Sequence, residues 1–212
     1  MMRRTVALLI VILAVLILGI LGYQIGHRIV LNAEIQQRIR TLPGLEVFSH
    51  LNGERFDMSA LDPHRAVVIM HFHSDCAFCK VQVEDVLNHP ELIASTSWVL
   101  ISSEQVDSLR VFEQKNQLGA YPFIFLLHDD QRKFPELFGT GLFPVTYIYN
   151  RNTRLITNFR GQVKASAIYR AITAQDDTVR SRSESEATIY RRIPASRGDI
   201  PAVDADLAEQ IH

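Results

Sequence analysis

Cysteine is nearly absent: the 212 residues hold two. Two are too few for the disulfide framework that staples small secreted domains. A chain that is 47% apolar also has enough material to bury a core without one. An excess of either charge is lacking too. Lys and Arg number 22 against 23 Asp and Glu, a net charge of −1, which argues against electrostatic binding to nucleic acid. The length suits one domain or two.

Polar residues are missing from one stretch altogether. Val6 to Leu21 (VALLIVILAVLILGIL) carries none, and Tyr23 to Ile25 extends it toward the roughly 20 residues that cross a bilayer. Arg3 and Arg4 precede it. A cleaved signal peptide would end in an Ala-x-Ala-like site, and Leu21-Gly22-Tyr23-Gln24 offers none; Tyr23 stands where a lipoprotein signal would need a cysteine. Residues 1–26 are therefore predicted to be an uncleaved N-terminal anchor. Arg28, Arg38 and Arg40 rival Arg3 and Arg4, so flanking charge orients it only weakly. Residues 27–43 read as a juxtamembrane stalk, a solvated spacer in which Leu31, Ile35 and Ile39, four apart, predict a helix continuing until Pro43-Gly44 stops it.

From Glu46 to Ile172 strand and helix signals alternate. Phe48 to Phe56 reads as a hairpin around Asn52-Gly53. Ala66 to Phe72 (AVVIMHF) suits a buried parallel strand, and Lys80 to Asn88 has helical spacing that halts at His89-Pro90. A strand at Trp98 to Ile101 precedes a helix through Val106, Leu109 and Phe112. Phe123 to Leu127 and Val145 to Tyr149 read as strands, with a short helical piece at Lys133 to Phe138 between them. Leu155 to Phe159 and a helix at Gln162 to Thr173 close the unit. This order implies a mixed α/β sheet flanked by helices. Beyond it, residues 175–212 are Ser-, Arg- and Glu-rich and read as a flexible polar tail, in which Val203, Leu207 and Ile211 are spaced by four.

Both cysteines fall in Cys76-Ala-Phe-Cys79, directly after the AVVIMHF strand and at the start of a helix. That position puts the first sulfur at a helix N-terminus, where free N–H groups and the helix dipole favour a thiolate nucleophile. Cys79, one turn on, is placed to attack the mixed disulfide formed at Cys76 and release a reduced partner.

The succession of hairpin, strand, CAFC, helix, strand, helix, strand, Phe143-Pro144, strand, hairpin and helix resembles the thioredoxin-like fold over residues 44–174. The Asn52-Gly53 hairpin looks like the membrane-anchored TlpA-type branch. The resemblance implies a cis proline facing the cysteine pair, matched here by Pro144, with Phe143 and Pro144 shaping the groove for a partner's backbone. It implies no cofactor beyond a redox-active Cys76–Cys79 disulfide, protein disulfides as substrates, and a membrane electron donor of the dithiol type. The expected setting is a bacterial inner membrane, crossed once by the N-terminal helix, with the domain facing the periplasm and reducing apocytochromes c or copper-site assembly proteins.

Departures from the family pattern are as informative. The tryptophan that often precedes the first cysteine is Asp75 here, a carboxylate that opposes thiolate formation at Cys76. The acid six residues before that cysteine is replaced by Met70, leaving Glu104 as the candidate proton acceptor for Cys79. His71 and His73 alternate onto one face of the strand, so His73 is a candidate modulator of the thiols. With Cys76 and Cys79 they also compose a set acceptable to zinc or copper, and metal delivery is the alternative function. Copper-delivery relatives, however, space their cysteines by three residues. A peroxidase is excluded locally, because Ile69 and His73 occupy the positions where peroxiredoxins carry proline and Thr or Ser.

Overall fold

In the computed structural model, residues 16–24 and 31–175 are described. Numbering from the first strand, β1 spans Ala66–His71, α1 Ala77–Leu87, α2 Pro90–Ser95, β2 Thr96–Ser102, α3 Val106–Lys115, β3 Ile124–His128, α4 Phe134–Phe138, β4 Val145–Tyr149 and β5 Leu155–Arg160, and residues 165–175 form α5. The sheet order is β3-β2-β1-β4-β5. β1, β2 and β3 run parallel, while β4 pairs antiparallel with β1 and β5 antiparallel with β4.

The two β-α-β connections both step outward from β1, and right-handed crossovers therefore put α1 and α3 on the same face. Alternation along the strands divides the core accordingly. Val68, Met70, Trp98, Leu100 and Ile148 pack with Cys79, Val83, Leu109, Phe112 and Ile168 of α1, α3 and α5. Val67, Ile69, Val99, Ile101, Tyr147 and Tyr149 pack on the other face with Ile39, Leu45, Phe48 and Phe56 of the N-terminal segment and Phe134 and Phe138 of α4. The central strands β1 and β2 are buried along their whole length, which accounts for the apolar runs Ala66 to Met70 and Trp98 to Ile101 within them.

Several expectations change. The predicted hairpin at 48–56 is a turn without strands: Gly53 takes the positive φ of +88° that Asn-Gly anticipates, yet pairing is limited to a Ser49–Arg55 bridge. Ser49 also bridges His128, covering the outer edge of β3. The helix through Lys80 does stop before His89-Pro90, at Leu87, but Pro90 then opens a second helix, α2, as its first residue, where a missing N–H costs nothing. β1 closes at His71, although the Phe72 N–H still donates to the Ile101 carbonyl (3.0 Å).

Over its described part the stalk carries the expected helix but is not a solvated spacer. Residues 31–38 are helical, Ile39 is buried at 1% exposure, and the Arg38 guanidinium donates to the Glu136 carbonyl (3.2 Å). Leu42 N–H donates to Thr153 O (2.7 Å) and Leu155 N–H to Arg40 O (2.9 Å), so this stretch is fastened to the domain. Residues 16–24 are helical; the rest of the anchor and residues 176–212 of the tail lie outside the described residues. Among the described residues no helix is long and apolar enough to cross a membrane.

Candidate functional site

Cys76 is the N-cap of α1. Its backbone is extended (φ −70°, ψ 117°) and its sulfur accepts the N–H of Cys79 at 3.2 Å, so the thiol occupies the place that Ser or Asp takes at other helix starts. A turn delivers it there: the Cys76 N–H donates to His73 O (3.1 Å) and the Lys80 N–H to Cys76 O (3.0 Å). Cys76 is partly exposed, whereas Cys79 is fully buried. Both thiols are free.

Burial pushes the Cys79 thiol up to about 12, helped by its hydrogen bond with Cys76 and by the negative charge of Glu104; the His73 backbone contact pulls the other way. Cys79 therefore holds its proton under neutral conditions, while Cys76 is the sulfur open to solvent.

The Phe143–Pro144 peptide is cis. Register places this segment at the cysteine end of the sheet, because Val145, the first residue of β4, pairs with His71, the last of β1. Pro144 O accepts the Gly161 N–H (2.8 Å), and Phe143 is 47% exposed. The Phe143 ring contacts the His73 ring (5.2 Å between centroids), which ties the proline segment to the turn that carries Cys76.

Asp75 points away into solvent at 88% exposure, with Lys80 Nζ 3.8 Å from its carboxylate. Its charge is thus screened and partly balanced. Glu104, 11% exposed, accepts from Ser74 N–H (2.6 Å), Ser74 Oγ (2.7 Å) and Ser102 Oγ (3.1 Å). It acts as a staple between the end of β2 and the turn before Cys76, and it faces Cys79 as a charge rather than through a hydrogen bond. His73 Nδ1 lies 3.4 Å from Glu104 Oε1 and 3.2 Å from the Asp75 N–H.

The four-residue metal set is not assembled. His71 Nδ1 is engaged with the Leu142 carbonyl (2.9 Å), its ring is stacked on Phe134 (4.2 Å), and it belongs with the face opposite Cys79. Among the described residues no group of three or more His, Cys, Asp or Glu converges to hold a metal ion. Alternation does bring both imidazoles against Phe143.

Gln82 escaped the sequence reading. It is fully buried one turn beyond Cys79, donates from Nε2 to Thr146 Oγ1 (2.8 Å) and accepts the Val163 N–H at Oε1 (3.1 Å). One amide thus joins the dithiol helix to the strand after Pro144 and to the approach of α5. The available signal was a polar residue in the Cys79, Val83, Val86 stripe. An open groove of about 630 Å³ flanks α1 on its other side, lined by Asp75, Lys80, Glu84, Val111, Lys115 and Tyr121.

No family model matches the chain, and no curated protein matches it. Solved structures do. A secreted Mycobacterium tuberculosis disulfide oxidoreductase homologous to Escherichia coli DsbE superposes with a TM-score of 0.50 at 17% identity, covering 61% of this chain and 96% of that one. A protein from Aquifex aeolicus gives a TM-score of 0.50 at 12% identity over 63% of this chain and 91% of its own. At such identities the likeness speaks for the fold, and the fold is thioredoxin-like.

Proposed function

We propose that this chain is a membrane-tethered thiol–disulfide oxidoreductase that reduces disulfides of periplasmic client proteins through Cys76 and Cys79. The observation that carries the reading is the asymmetry of the pair: Cys76 sits at the helix start and within reach, and Cys79 is buried behind it with its thiol pushed up to about 12. A structural pair of cysteines has no need of a reachable member at a helix terminus.

In the proposed exchange the Cys76 thiolate attacks one sulfur of a client disulfide. A Cys76–client bond forms, and the other client sulfur leaves as a thiolate that takes up a proton. Cys79 then gives up its proton and attacks the Cys76 sulfur, breaking that bond and expelling the second client thiolate. Two electrons pass from the dithiol to the client, and a Cys76–Cys79 disulfide remains. The same steps in reverse, with a membrane-embedded dithiol donor as the electron source, restore the pair. No cofactor beyond the cysteine pair is required.

The tether is the apolar run from Val6 to Leu21 behind Arg3 and Arg4, and the thiol chemistry suits an oxidising periplasm reached by a single-pass helix in a bacterial inner membrane. Phe143 and Pro144 form the rim along which the client backbone lies. The deciding experiment is a redox titration of the full-length protein in detergent against dithiothreitol and glutathione buffers, following the thiols of Cys76 and Cys79. A reversible two-electron transition at or below roughly −250 mV supports a reductase, and one near about −120 mV an oxidant. Absence of a reversible disulfide overturns the exchange reading.

A further inference from the structure

His71 is the last residue of β1 and 5% exposed. Its ring lies flat on Phe134, with centroids 4.2 Å apart and planes 10° from parallel. Phe134 is itself held: the buried Asp129 carboxylate accepts the N–H groups of Lys133 (2.7 Å) and Phe134 (2.8 Å) and pins the start of α4. With its plane set, the imidazole can turn little, and Nδ1 reaches the Leu142 carbonyl at 2.9 Å. A carbonyl oxygen only accepts, so Nδ1 carries the proton. Burial lowers the His71 pKa, which keeps the ring in this neutral form.

The acceptor opens the segment Leu142-Phe143-Pro144. Leu142 N–H donates to Thr140 Oγ1 two residues back (3.2 Å), and Pro144 O accepts the Gly161 N–H (2.8 Å), which fastens the far end to the residue after β5. Between them Leu142 and Phe143 present two large exposed apolar side chains. The Phe143 ring meets His71 edge-on (6.1 Å, 73°) and leans on His73 (5.2 Å), in the turn whose carbonyl holds the Cys76 N–H. A half-exposed aromatic ring lodged against two imidazoles, one of them in the turn that leads to Cys76, is an oriented contact, since exposed apolar groups at such a place favour association.

Resting on the exchange reading above, we propose that His71 is a positioning residue for client recognition. Its bond to the Leu142 carbonyl aims the Phe143 ring at the polypeptide, where the ring receives an apolar side chain adjacent to the attacked client cysteine. The substrate class is thus narrowed to protein disulfides flanked by large apolar residues.

The test uses pre-reduced full-length protein in single-turnover mixing with three disulfides: a small aromatic disulfide, a peptide disulfide with phenylalanine beside its cysteine, and the same peptide with serine there. The wild type is expected to prefer the phenylalanine peptide. His71→Leu, which lacks the donor, is expected to raise the half-saturating concentration of that peptide about tenfold, with its maximal rate changed by less than about twofold. His71→Asn, whose Nδ2 stands where Nδ1 stood, is expected to restore most of the loss. A half-saturation that is unmoved by His71→Leu, or that rises equally for all three disulfides, overturns the proposal. If His71→Leu does not fold, Phe143→Ser at the surface decides the matter: retention of the phenylalanine preference overturns it. Failure of the wild type to react with even the small disulfide instead removes the exchange reading, and the proposal with it.

Discussion

The Gln82 side chain donates to the Thr146 hydroxyl across 2.8 Å, linking the helix that begins with the dithiol to the strand that begins after Pro144. Both residues are completely buried, and the other end of the same amide receives the Val163 N–H. The relative placement of the two cysteines and the proline rim therefore depends on a neutral polar link inside an apolar layer.

Gln82→Met tests that link without emptying the space. It keeps the volume but leaves the Val163 N–H and the Thr146 hydroxyl unpaired, a loss of about 1–3 kcal/mol. Gln82→Ala adds a cavity and is expected to cost about 2–4 kcal/mol. Chemical denaturation of the two variants measures both. Equal stability of Gln82→Met and wild type counts against the link.

Cys79→Ala removes the resolving thiol and leaves Cys76 at the helix start, partly exposed. The first attack survives and the second is lost, so client proteins are expected to accumulate as mixed disulfides on Cys76. Non-reducing electrophoresis of cells expressing the variant reads this directly, with Cys76→Ala/Cys79→Ala as control. Recovery of no Cys76-linked protein is the outcome that sinks the exchange mechanism.

How far the chain could be read in advance differs from element to element. β4 was legible to the residue, because Val145 to Tyr149 is all β-branched or aromatic between a proline and a turn. The Cys76–Cys79 placement was legible because an apolar strand and a helical stripe bracket it. The fate of Phe48 to Phe56 was not fully legible, since Asn52-Gly53 specifies the turn but nothing local signals that Ser49, besides pairing with Arg55, also bridges His128. Nor was the role of His71: alternation set its face, while the partners Phe134 and Leu142 come from elements more than sixty positions downstream. Pro90 marked the end of α1 correctly, while the helix it opens was not legible, because proline serves equally as a helix breaker and as a first helical residue.

The attachment of residues 31–38 can be tested at Gly139. This residue ends α4 in the left-handed conformation (φ +73°), and a Cβ there would stand 2.8 Å from Ile35 Cγ2. Gly139→Ala thus meets backbone strain and a clash together, for a combined cost of about 1–3 kcal/mol. The N-terminal helix is expected to loosen first, as increased proteolysis near Ile35. A variant as stable and as protease-resistant as wild type contradicts the packing described.

The last prediction concerns protons. A thiol whose pKa is raised binds its proton more tightly in the folded, reduced protein than in the unfolded chain, where it ionises near its ordinary value of 9.0. As pH climbs past that value the unfolded state loses this proton first, so the reduced protein loses stability from there up to about 12. The oxidised protein has no thiol at Cys79 and is spared this loss. The same proton governs the potential. While Cys79 keeps it, the reduced form carries at least one proton that the disulfide lacks, and the midpoint potential must fall by at least about 30 mV per pH unit for a two-electron couple. Midpoint potentials measured from neutral pH to about pH 10 are therefore expected to decline without levelling off. A plateau within that range would mean that Cys79 ionises early, and the division of labour between a reachable nucleophile and a buried, protonated partner would have to be abandoned.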